Sequence, residues 1–167
     1  DWSSDVCSSD LRKTAPMWTL LTEIDIAASP EDVWNVLTDF DAYPTWNSFI
    51  PWIRGRLEVG ENLTARIEAP GGPKKTFYPL VLAVEPDHEL RWLGKVWIRG
   101  LFDGEHRFAI EPLPAGGVKF LHQEHVNGIL AEPFSRVFGT QTRNGFEAMN
   151  RGLKQQAEAR SQAKRSE

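Results

Sequence analysis

The chain of 167 residues has one cysteine, two methionines and two tyrosines. Cys7 stands alone, so an intrachain disulfide and a cysteine-rich metal cluster are both excluded. No apolar run approaches the roughly 20 residues that a bilayer-spanning helix needs. No basic block is present among the 19 bases and 23 acids, and nothing in the charge pattern proposes nucleic acid. A glycine-rich phosphate cradle, a G-x-S-x-G elbow and an H-E-x-x-H pair are all missing, which removes three familiar chemistries at once. What remains is 41% apolar and 25% charged, the make-up of one globular domain with a sizeable core.

Residues 1–11, DWSSDVCSSDL, show neither helical nor strand periodicity and match the translation of a short-read sequencing-library adapter. Residues 1–16 are therefore expected to be a non-native or disordered leader, with Met17 as a candidate start. Setting 1–11 aside removes Asp1, Asp5, Asp10 and Cys7, which leaves 20 acids against 19 bases and no thiol. No signal peptide follows Met17, so the cytoplasm is the expected location.

From residue 18 to 26, Leu20, Thr22, Ile24 and Ile26 share one parity, the mark of a half-buried strand. A helix signal follows at once: Ser29 as N-cap, Pro30 in the first turn, and Glu31 and Asp32 against the positive end of the helix dipole. Val33, Val36, Leu37 and Phe40 fall at helical spacing, and Tyr43-Pro44-Thr45-Trp46 closes the segment as a second short helix. Asp39, Asp41 and Asn47 lie at helix ends and read as capping and turn residues. Further strands are expected at 53–57, 63–67, 76–84, 90–96, 105–110 and 118–126, joined by short turns that favour an antiparallel meander. Phe134, Phe138, Thr142, Phe146, Met149 and Leu153 then define one face of a helix of roughly 25 residues. The organisation expected is an α+β domain over 17–160 with a polar tail at 161–167.

Several segments also carry a family resemblance: IDIAASPEDVWNVLTDFDAYPTWN, LRW at 90–92, FDGEHRF at 102–108, HQEHVNGIL at 122–130 and FEAMNRGLK at 146–154. Their order resembles the START-related SRPBCC (Bet v 1-like) superfamily, in its polyketide cyclase/dehydrase-like, ligand-binding branch. The resemblance implies a helix-grip fold, with a curved antiparallel sheet of about six to seven strands wrapped around the long C-terminal helix and two short helices after the first strand. It also implies an apolar pocket between sheet and helix.

Strand parity suggests which side chains enter that pocket. His106, Phe108 and Ile110 share one face of their strand, and Phe120, His122, Glu124 and Val126 share one face of the next. With the apolar members inward, His106, His122 and Glu124 are the polar groups of the cavity, within ~5 Å where strands oppose. Three roles are open to them: a self-satisfied structural network, a polar anchor for an otherwise apolar ligand, or a histidine base held by Glu124. Trp92 is a candidate cavity wall, and Trp97 lies in a glycine-bounded apolar segment suited to a strand turn or a mouth. Trp46 and Trp52 are expected to anchor the second short helix near the entrance. Phe138, Phe146 and Met149 on the last helix are core residues that also face the expected pocket.

The function expected is binding of a hydrophobic or aromatic small molecule or lipid. The alternatives are a cyclase or dehydratase acting on a polyketide-like substrate through His106, His122 and Glu124, and a protein-interaction domain working through the segment around Trp97. No cofactor and no metal is expected, and the partners expected exclude nucleic acid and integral membrane association. A monomer or homodimer is the expected assembly.

Overall fold

The computed structural model of the chain describes residues 17–72, 74–95, 103–128 and 130–166. The leader at 1–16 and Trp97 lie outside the described residues. Strand β1 (Met17–Ile26) is followed by helix α1 (Pro30–Thr38), a 3-10 turn (Phe40–Ala42) and helix α2 (Tyr43–Trp46). Strands β2 (Trp52–Arg54), β3 (Thr64–Glu68) and β4 (Lys74–Phe77) come next, then β5 (Leu80–Glu85), β6 (Glu89–Lys95), β7 (Asp103–Pro112) and β8 (Val118–Asn127). Helix α3 (Ala131–Ser166) completes the described chain.

Among the described residues, eight antiparallel strands form two sheets, one ordered β1-β8-β7-β6-β5 and one ordered β2-β3-β4. The stretch expected as a single strand at 76–84 is split, because Pro79 has no N–H to donate to a ladder. Its halves join different sheets, and backbone bonds from Leu63 N to the Pro79 carbonyl (2.8 Å) and from Val81 N to the Glu61 carbonyl (2.9 Å) stitch the sheets together. The result is the α+β helix-grip arrangement, with α3 packed across β1 and β8.

The start of α1 follows its sequence signal. Ser29 Oγ accepts from the Asp32 amide at 3.1 Å and donates to the Asp32 carboxylate at 2.9 Å. Asn47 Oδ1 accepts from the amides of Phe49 (3.1 Å) and Ile50 (2.8 Å), so it shapes the turn after α2. Trp46 stacks edge-on to Tyr43, with centroids 4.9 Å apart.

Helix α3 is longer than its apolar stripe suggests. It spans 36 residues, and the segment read as a polar tail continues the helix through Ser166. The cause is charge: Lys164 Nζ lies 2.7 Å and Arg160 Nε 3.3 Å from Asp32 Oδ1, at the N-terminus of α1. Asp32 is 3% exposed. Burial alone would raise its carboxyl, but Lys164, Ser29 and Arg160 together hold it below the ordinary range. A carboxylate lowered in this way adds stability that is present above its unfolded value and disappears as pH falls through the folded one. Asp32→Asn is therefore expected to cost about 1 kcal/mol at pH 7 in a urea melt. An equal cost at pH 2.5 would refute the ion-pair account.

Candidate functional site

The inner face of the large sheet, the small sheet and the N-terminal half of α3 enclose a cavity of about 770 Å³. Ala65 and Ile67 of β3, Trp92 of β6, Phe49 after α2, and Phe134 and Phe138 of α3 give it an apolar wall. Gly94 and Gly104 are direct cross-strand partners on that wall and leave a strip of bare backbone. The exposed side chains of Lys75, Thr76 and Tyr78 stand at its rim.

Two polar side chains of the sheet reach the cavity, His106 on β7 and Glu124 on β8. They are direct cross-strand partners. The His106 ring nevertheless bonds diagonally, with its Nε2 2.6 Å from Nε2 of His122. His122 Nδ1 lies 2.9 Å from Asn150 Oδ1, and Asn150 Nδ2 donates to Thr22 Oγ1 at 3.0 Å. Thr22 Oγ1 in turn donates to the His122 carbonyl at 3.4 Å. The His122 ring also stacks flat on Phe146, with centroids 3.6 Å apart and planes 5° from parallel. A chain of three side chains, His122 of β8, Asn150 of α3 and Thr22 of β1, thus fixes the His106 imidazole at the cavity wall.

Burial makes both histidines hard to protonate. It pushes His106 down to about 3. It also lowers His122 well below the usual imidazole range, helped by the neighbouring His106 and opposed by Asn150 and the Phe146 backbone. Glu124 makes no hydrogen bond or ion pair with any described residue, and burial pushes its carboxyl up to about 7. Among the described residues no group of three His, Cys, Asp or Glu side chains converges as a metal site.

Parity placed the sheet residues on one face as expected, but the cavity occupies only part of that face. Trp92, His106, Glu124 and Phe138 line it. Phe108, Ile110, Phe120, His122, Phe146 and Met149 lie in close-packed core, at most 2% exposed. There the sheet curls tightly against α1 and α3, and side chains fill the space. His106 is held by His122, and His122 by Asn150, whereas the catalytic alternative had the histidine held by Glu124. Asn150 and Thr22 had no place in the sequence-based site. Their signal was a polar residue inside an apolar stripe: Asn150 falls four residues after Phe146 and three before Leu153. The contribution of β3, β4 and Phe49 to the wall was also not foreseen.

The sequence profile described as "Polyketide cyclase / dehydrase and lipid transport" matches residues 17–158. The chain belongs to this family. No curated protein matches the chain. Among solved structures, family-like folds recur at low identity. A protein of Mesorhizobium loti is 22% identical, with a TM-score of 0.61 over 83% of this chain and 96% of that one. An aromatase/cyclase of Streptomyces is 13% identical, with a TM-score of 0.66 over 87% and 96%. Norcoclaurine synthase of Thalictrum flavum, solved with dopamine and hydroxybenzaldehyde, is 15% identical, with a TM-score of 0.65 over 86% and 87%. At these identities the likeness to each structure is one of fold. Among the described residues no helix is long and apolar enough to cross a membrane.

Proposed function

We propose that the protein binds a hydrophobic or aromatic small molecule inside the cavity, with its polar end against His106 and Glu124. The observation that carries this reading is an apolar chamber of about 770 Å³ whose sheet wall offers one oriented imidazole and one unpaired carboxyl. Small-molecule sites are typically clefts of ~300–1,000 Å³, mostly apolar, with a few placed polar groups. The family's description, which joins lipid transport to cyclase chemistry, agrees with such a ligand.

Aromatic probes should quench tryptophan fluorescence, and a Trp92→Phe variant should lose most of the response. Gly94→Leu gives a sharper test. A Cβ on Gly94 meets only the Gly104 carbonyl, at 3.7 Å, so the backbone accepts a side chain that projects into the chamber. The variant should keep its melting temperature and bind probes about tenfold more weakly or worse. Unchanged affinity would place the ligand elsewhere.

One observation favours a catalytic use of the same chamber. A carboxyl near 7 beside a fixed imidazole suits proton transfer at neutral pH, as in a cyclisation or dehydration of a polyketide-like substrate. In that reading Glu124 moves the proton, His106 orients the substrate oxygen, and His122 only positions His106. Turnover that survives Glu124→Gln would reject it.

A further inference from the structure

The polarity of the buried network says which kind of group the chamber takes, given that the chamber is a ligand site at all. Thr22 has one hydroxyl proton, and it points to the His122 carbonyl. Its oxygen must then accept from Asn150 Nδ2, which turns Asn150 Oδ1 toward His122. Oδ1 only accepts, so His122 Nδ1 carries a proton. The Phe146 backbone beside the His122 ring acts in the same sense. A neutral His122 therefore presents a lone pair at Nε2, and His106 must donate from its own Nε2 across the 2.6 Å contact. Burial keeps both rings neutral, so His106 is left with a lone pair at Nδ1, for which no described residue supplies a donor.

Two further polar side chains on the wall present acceptors, Glu124 and Gln141. Glu124 has no donor partner among the described residues, and above neutral pH its carboxylate only accepts. Gln141 donates its amide to the Gly71 carbonyl at 3.4 Å, and its Oε1 is buried without a partner. Thr142 donates to the Phe138 carbonyl at 2.9 Å. The candidate donors are the indole N–H of Trp92 on the wall and the side chains of Lys75, Thr76 and Tyr78, which stand exposed at the rim. Among the described residues, the wall beside His106 and Glu124 thus offers more acceptors than donors.

We propose that the cavity selects neutral ligands that donate hydrogen bonds, phenols or other hydroxyl compounds of aromatic or alicyclic skeleton, through His106 Nδ1 and Glu124, and that it excludes carboxylates from its inner end. A carboxylate or an ether brings only further acceptors to the wall, and a buried acceptor facing an acceptor leaves both unsatisfied.

Three probes of one skeleton test this at pH 8: 2-naphthol, its methyl ether and 2-naphthoate, titrated by tryptophan quenching and calorimetry. The naphthol is expected to bind about tenfold more tightly than the ether. The naphthoate is expected to bind more weakly than either, and His106→Phe should narrow the gap between naphthol and ether. Equal affinities for naphthol and ether, or tightest binding of the naphthoate, would overturn the proposal. Failure of all three to bind would overturn the ligand-site reading itself, and this inference with it. The ¹⁵N shifts of the imidazoles in the unmodified protein give a second measurement that needs no variant to fold. They should show His106 protonated at Nε2 and His122 at Nδ1, and the opposite tautomer of His106 would refute the assignment.

Discussion

Replacing Glu124 by glutamine is expected to stabilise the folded protein by about 1–3 kcal/mol at pH 8 and to change nothing near pH 4. The carboxyl is raised from an ordinary 4.5 to about 7 because it is withdrawn from water with no cation opposite it. An acid raised in the folded state costs stability whenever the solution ionises it. That cost starts as pH passes the unfolded value, grows until pH reaches about 7, and is constant above it. Glutamine removes the charge and keeps the shape. The full shift corresponds to ~3 kcal/mol, and the partial exposure of Glu124 on the cavity wall reduces it. The histidines act in the opposite direction, since lowered values mean that stability falls as pH drops below about 6.5. Comparing variant with wild type at each pH cancels them. Urea melts at pH 4, 6 and 8 should show the difference opening with pH. A constant difference, or a variant less stable at pH 8, would mean that Glu124 has a partner in solution. On the proposed function the same substitution should weaken a hydroxyl ligand, so binding and stability would make opposite demands on Glu124.

Gly145→Ala should be more damaging than its size suggests. A Cβ built on Gly145 falls 2.2 Å from Cδ2 and 2.6 Å from Cε2 of Phe49. Phe49 is 3% exposed and leans edge-on against Phe146 at 5.4 Å and His122 at 6.4 Å. Core on that side is full, so the ring can yield only toward the cavity it lines. Overpacking of this kind costs about 1–3 kcal/mol, and alanine recovers up to ~1 kcal/mol of helix propensity. A net loss of about 1–2 kcal/mol and a several-fold drop in probe affinity are expected together. Gly139→Ala is the matched control on the same helix, since its Cβ meets only the Trp18 ring at 3.6 Å. It should be neutral or stabilising. If both variants behave alike, α3 is not pinned where Phe49 sits.

The fold was legible because it rests on local signals. Ser29 and Pro30 mark the start of α1, alternation marks β7 and β8, and a three–four spacing marks α3. His106 and Glu124, which parity sets on the apolar side of their strands, line the cavity. The sequence could not say where the cavity ends. Phe108 and Phe138 look alike in a periodic pattern, yet one is fully buried in the core and the other lines open space. The partner of His122 was hidden for a similar reason. Asn150 lies 28 residues away, and contact between a strand and a distant helix turn depends on the crossing of α3 over the sheet. Charge misled at the C-terminus, where residues that look like a solvated tail are tied to Asp32.

The pairing of the first strand with the last has a consequence for how the molecule is made. Met17 lies opposite Asn127 and Ile26 opposite Val118, so β1 has no sheet neighbour until β8 has been synthesised. At about 5–20 residues per second, a strand whose partner trails it by some hundred residues waits roughly 5–20 s on the ribosome. Its apolar face, with Leu20 and Ile26, is uncovered through that interval and is a natural client for a chaperone. The wall contributed by α3 emerges later still. On the proposed reading, a ligand has nothing to enter until α3 has been made, so occupancy of the chamber would report that this helix has docked.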